Sequence, residues 1–118
     1  MKSILLLMGP NLNMLGEREP EIYGSDTLHE HVKEAKRVTN KFGYELQHYQ
    51  SNNEGDLVDQ IQNAREKHIG IIINPGALTH YGWSIHDALA AYEGVIIEMH
   101  LSNPCLLYTS PSPRDKHR

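Results

Sequence analysis

The sequence predicts an α/β protein in which a parallel sheet is wound with helices on both faces. Three observations predict it. Apolar runs at 4–8 and 69–73 are continuous, as strands covered on both sides require. The stretches between them carry apolar residues at three- and four-residue spacing, the period of an amphipathic helix. The two patterns alternate as β-α-β-α-β-α-β, the order of successive crossover units.

The elements follow in order along the chain. Residues 4–8, Ile-Leu-Leu-Leu-Met, form a buried strand. Leu28, Val32, Ala35, Val38 and Phe42 mark a helix over 27–42, with Thr27 and Glu30 spaced as a capping box and Gly43 as its stop. Residues 44–49 alternate apolar and polar, which suits an edge strand. Leu57, Ile61 and Ala64 mark a second helix over 54–67, and 69–73 is the second buried strand. Ile85, Ala88, Leu89 and Tyr92 mark a third helix ending near Gly94, and a fourth strand begins at 95–97. Residues 104–118 have neither period, and the prolines of Ser110-Pro-Ser-Pro113 oppose both, so this segment is expected to be a disordered tail beyond a single domain at 1–103. The fourth strand is then expected at an open edge.

Bulk properties narrow the function. A length of 118 residues supports one domain. A net charge of −4 opposes a nucleic-acid surface. No stretch reaches membrane-spanning length, and the amino terminus is too short for a signal-peptide core with its cleavage site, so no membrane partner is expected and the expected location is cytoplasmic. The lone Cys105 excludes an internal disulfide framework.

In a doubly wound sheet, ligands bind beyond the carboxyl ends of the strands. That rule brings Asn11 and Asn13, residues 50–53, residues 74–80 and residues 98–102 onto one rim. These are polar, histidine-bearing stretches, so the rim has the composition of a site. The connection after the first strand, residues 8–24, is far longer than a strand-to-helix turn needs, and it holds Arg18 and Tyr23. Such loops commonly serve as lids or binding loops.

The same residues bear on other chemistries. His80, His86, Asp87, Glu98 and His100 supply enough ligands for a metal-dependent lyase, but they form no compact metal motif. Gly82-Trp-Ser-Ile-His86 partly imitates a nucleophile elbow, yet it lacks the final glycine and does not directly follow a strand. A non-catalytic flavin or phosphate-receiving module fits the element order, but the first loop lacks a hydroxyl-rich cradle and Asn74 stands where a receiver carries aspartate. No lysine falls on the expected rim, which disfavours imine chemistry.

Gly9-Pro-Asn-Leu-Asn-Met-Leu-Gly-Glu-Arg-Glu-Pro-Glu-Ile-Tyr-Gly24 resembles the amino-terminal signature of type II 3-dehydroquinate dehydratase. Gln50-Ser-Asn-Asn-Glu-Gly55, Ile73-Asn-Pro-Gly-Ala-Leu-Thr-His80 and Glu98-Met-His-Leu-Ser-Asn103 match the same family in order and spacing. The resemblance covers 1–103. It implies a flavodoxin-like doubly wound sheet, a homododecamer built from trimers, no cofactor and no metal. It also implies the conversion of 3-dehydroquinate to 3-dehydroshikimate in the shikimate pathway of aromatic amino acid biosynthesis, by anti elimination through an enolate.

The resemblance also assigns residues. Tyr23 is the base, Arg18 its activating cation, and His100 the general acid. Asn11 holds the network in position, and Glu98 is suited to orient His100. Asn74, His80, Asp87, Leu101 and Ser102 bind substrate. One departure stands out. Pro111 occupies the position of the family's carboxylate-binding arginine, and the sequence after Asn103 does not continue into the family's last strand and carboxy-terminal helix. A poorly active or aggregation-prone polypeptide is expected on that ground.

Overall fold

The computed structural model describes residues 2–15, 27–76 and 83–99. Among the described residues four parallel strands form one sheet: β1 (Ser3–Met8), β2 (Glu45–Gln50), β3 (Gly70–Asn74) and β4 (Val95–Glu98). Their spatial order is β2-β1-β3-β4. The register pairs Met8 with both Gln50 and Asn74, and Ile73 with Glu98. Three helices connect the strands: α1 (Leu28–Lys41), α2 (Glu54–Lys67) and α3 (Trp83–Ala91). A 3-10 turn, Leu12–Met14, follows β1.

Strand periodicity divides the core into two layers. Leu5 and Leu7 of β1, with Ile71, Ile73 and Ile96, face α2 and α3 and pack on Leu57, Ile61, Ala64, Ile85, Ala88 and Leu89. Leu6, Met8 and Leu46 face the other way and pack with Val32, Leu28 and Ala35 of α1 and with Leu12 and Leu15 of the turn. Leu7 and Ile61 are fully excluded from solvent. Burying each such side chain contributes roughly 1.5–3 kcal/mol. On the α1 side, beyond β3, Val95 and Ile97 of β4 are 65% and 48% exposed. Among the described residues β4 is therefore an edge with an uncovered apolar face.

Local signals place the ends. Thr27 accepts from the Glu30 amide, and the Glu30 carboxylate accepts from the Thr27 amide, so the expected capping box is present. Hydrogen bonds donated by the Thr27 amide first, then by the Thr27 hydroxyl, hold the Glu30 carboxyl below its ordinary pKa. Gly43, at φ 87°, ends α1 with its amide on the Asn40 carbonyl. α2 begins on the Asn53 side chain, which accepts from Gly55 N.

The amino-terminal end of the sheet is closed by a polar knot. Ser3 Oγ donates to the Lys67 carbonyl at 3.0 Å and lies 2.8 Å from His68 Nδ1. Serine has one proton, and it is engaged on Lys67, so His68 Nδ1 carries the hydrogen between them. Tyr92 adds a hydroxyl donor to the His68 carbonyl at 2.8 Å. Burial raises the Tyr92 pKa. Tyr92 lies one residue past α3, outside the helix that its spacing suggests, and its ring is buried in the core.

Candidate active site

The carboxyl ends of β1 and β3 meet where the strand order reverses, the position at which open α/β sheets bind ligands. The backbone makes the crevice there. Gly9 N donates to the Asn74 carbonyl at 2.8 Å, Ser51 N to the Met8 carbonyl at 3.0 Å, and Met99 N to the Ile73 carbonyl at 2.9 Å. All four strand ends are thus laced together.

Two loop backbones approach closely above this lacing. A Cβ on Gly9 would stand 2.2 Å from the Pro75 carbonyl oxygen, and one on Gly76 would stand 2.5 Å from the Pro10 oxygen. Gly76 also has φ +59°, a conformation that glycine adopts readily.

Four of the expected site residues lie within the described chain. Asn11 follows β1 at φ 69°, the one non-glycine residue with positive φ among those described. Its amide donates to Asn52 Oδ1 at 2.9 Å. Asn74 ends β3 and is 1% exposed. Its Oδ1 accepts from Gly76 N at 3.0 Å, while its Nδ2 is buried without a hydrogen-bond partner among the described residues. Glu98 ends β4, one register row before Asn74, and is 6% exposed. Asp87 lies exposed in the second turn of α3. Arg18, Tyr23, His80, His100, Leu101 and Ser102 lie outside the described residues, as does the expected tail at 104–118.

The structure therefore brings Asn11 and Asn74 to one rim, with Glu98 beside them, and sets Asp87 on an exposed helix flank. A neutral amide donor held in the core at a strand end suits an oxygen-rich ligand. Among the described residues no group of three His, Cys, Asp or Glu side chains is arranged to hold a metal ion. No described helix is long and apolar enough to cross a membrane. A groove of about 760 Å³ lies instead along α1 and β2, lined by Lys36, Asn40, Glu45 and His48. Burial, then the nearby Lys36 charge, lowers the His48 pKa. That groove begins at the amino end of β2, away from the crevice where the carboxyl ends of β1 and β3 meet.

Sequence reasoning placed residues 50–53 on the rim but gave them no task. Gln50 Nε2 donates to the Gly9 carbonyl at 3.2 Å and to Asn52 Oδ1 at 3.2 Å. The available signal was their position: two carboxamides, one closing and one just past the strand that neighbours β1.

Known proteins match this arrangement. The family model described as Dehydroquinase class II matches residues 2–107. The chain is 54% identical over 101 residues to a 3-dehydroquinate dehydratase of Corynebacterium glutamicum, covering 86% of this chain and 70% of that one. It is also 54% identical over 102 residues to a catabolic 3-dehydroquinase of Aspergillus clavatus, covering 86% and 68%. The crystal structure of a type II dehydroquinase from Butyrivibrio crossotus superposes with a TM-score of 0.81 at 44% identity, over 86% of this chain and 72% of the other. Four motifs in register, a shared α/β sheet and identities near one half lead to one conclusion: the chain belongs to the type II dehydroquinase family.

Proposed function

We propose that this chain is a hydro-lyase that dehydrates 3-dehydroquinate to 3-dehydroshikimate, a step of the shikimate pathway. Family membership supports the reaction. The structural observation that carries the reading is Asn74, whose buried Nδ2 has no hydrogen-bond partner among the described residues, at the point where the strand order reverses. A polyhydroxylated carboxylate is the kind of ligand that engages such a donor.

The proposed course breaks a C–H bond beside the ketone, forms an enolate, then breaks the C–O bond and releases water. Tyr23 takes the proton as tyrosinate. An ordinary tyrosine has a pKa near 10, so ionising it at neutral pH costs roughly 4 kcal/mol. A cation within about 4–6 Å lowers an acid's pKa by about 1–3 units. Arg18, five residues before Tyr23, fills that role. His100 then protonates the departing hydroxyl, with Glu98 orienting its ring. Asn74, His80, Asp87, Leu101 and Ser102 hold the substrate, and Asn11 fixes the network. The family chemistry calls for no cofactor.

The proposal extends to a cytoplasmic homo-oligomer. It extends also to weak substrate affinity, because Pro111 stands where the family carries its carboxylate-binding arginine. Tyr23→Phe tests the scheme. Turnover should vanish while 3-dehydroquinate still binds, and retained turnover would remove tyrosine from the role of base. Arg18→Ala should move the ascending, acid-side limb of the pH–rate profile, which reports ionisation of the base, to higher pH.

A further inference from the structure

We propose that Gln50 and Asn52 form a clamp that positions Asn11 for the reaction; this rests on the dehydratase reading above. Four groups make a chain of hydrogen bonds with one consistent polarity. The Gly9 carbonyl accepts from Gln50 Nε2 at 3.2 Å. The same Nε2 donates its second hydrogen to Asn52 Oδ1, also at 3.2 Å. Asn52 Oδ1 accepts again from Asn11 N at 2.9 Å. The two backbone groups dictate both amide orientations. Turning Asn52 over would set its NH2 against an N–H, and turning Gln50 over would set its oxygen against a carbonyl.

The clamp grips backbone groups on either side of Pro10, at the place where the chain leaves the sheet. Asn11 there sits at φ 69°. Asparagine tolerates left-handed geometry better than most residues with a side chain, and the neighbouring hydrogen bonds fix it there. The opposite flank of the same turn is fixed by backbone alone, through Gly9 N on the Asn74 carbonyl and Gly76 against Pro10. The clamp supplies the missing side. Its own base is rigid, since Asn53 N donates to Ser51 Oγ at 2.9 Å, Ser51 Oγ donates to Asp56, and Asn53 caps α2. β2, an edge strand with no substrate contact assigned to it, thereby governs the direction of the Asn11 side chain.

The test compares Asn52→Ala with Asn52→Asp, which keeps an oxygen acceptor for both donors. In Asn52→Ala, kcat should fall about 10- to 100-fold with KM little changed, the loss expected from a misplaced group, while Asn52→Asp restores most of it. In an Asn11→Gly background, where glycine keeps the backbone but removes the side chain, Asn52→Ala should cost no further activity. Hydrogen exchange of the Asn11 amide, followed by NMR, should quicken in Asn52→Ala and stay slow in Asn52→Asp. A full further loss in the Asn11→Gly background, or unchanged exchange at Asn11, would overturn the clamp. A wild-type chain with no turnover of 3-dehydroquinate would instead defeat the dehydratase reading, and the exchange rates would still decide whether the clamp holds Asn11.

Discussion

Gly9 N donates to the Asn74 carbonyl at 2.8 Å and fastens the end of β1 to the end of β3. Around that bond the two outgoing loops touch through their backbones. Gly9 lies under Pro75 and Gly76 lies against Pro10, with no room for a Cβ at either place. Side chains at these positions would fill the ground from which a crevice must open. The glycines therefore serve the site by closeness, and only Gly76 also by its positive φ.

Gly9→Ala should be costly for this reason. The added methyl would meet the Pro75 carbonyl oxygen at 2.2 Å and its carbon at 2.6 Å, and both are backbone atoms. Overpacking of this kind costs about 1–3 kcal/mol. Gly43→Ala is the useful comparison. It has open space around it but a φ of +87°, so it bears conformational strain alone, about 1–2 kcal/mol. Urea unfolding should place Gly9→Ala at a lower midpoint than Gly43→Ala with similar slopes. Equal midpoints would mean that the Pro75 loop yields freely.

Asn74 makes a second prediction. One end of its amide caps the following turn through Gly76 N, and the other end, Nδ2, is buried without a hydrogen-bond partner among the described residues. Leaving a buried donor unsatisfied costs about 1–3 kcal/mol, so the group is better explained by a ligand than by stability. Asn74→Asp preserves the oxygen that caps Gly76, removes the donor and sets negative charge against an anionic substrate. KM for 3-dehydroquinate should rise about tenfold or more, on the scale of a lost hydrogen bond joined to like-charge repulsion. Thermal melting run alongside separates lost binding from lost folding, and an unchanged KM in a folded variant would remove Asn74 from the substrate.

Much of the fold was legible because its signals are local. The apolar run at 4–8 gave β1, the spacing at Leu57, Ile61 and Ala64 gave α2, and Thr27 with Glu30 gave the start of α1. The errors fall at element ends: polar Ser3 and Asn74 join strands through backbone alone, while apolar Tyr44, Ile69 and Tyr92 lie just outside the elements that their character suggests. Ser3 pairs with Glu45 and Asn74 pairs with Met8, yet neither side chain carries strand character. The site was less legible. Asn11, Asn74 and Glu98 could be set on one rim from strand ends, but the roles of Arg18, Tyr23 and His100 rest on family resemblance, since spacing along a chain does not report contact in space. The Gln50–Asn52 clamp left no periodic mark, because it depends on which amide faces which backbone group.

The polar knot at the opposite end of the sheet predicts how stability varies with pH. Burial first, then the Lys67 charge, holds the His68 pKa below its ordinary value of 6.5, while Glu45 pulls weakly the other way. Ser3 and the Tyr92 hydroxyl are its uncharged neighbours. His48 is lowered in the same direction by burial and Lys36. A histidine whose folded-state pKa is depressed takes up its proton more readily when unfolded. Its stabilisation is therefore complete above about pH 6.5 and is lost as pH falls through the lowered folded value. Urea midpoints should hold between about pH 8 and 7 and then decline toward about pH 5.5, a window in which ordinary carboxylates stay ionised. His68→Asn keeps an N–H for Ser3 Oγ but does not titrate, so its decline should be shallower, with His48 supplying what remains. A midpoint that rises on acidification, or a variant whose decline matches the wild type, would show that His68 does not couple protons to folding.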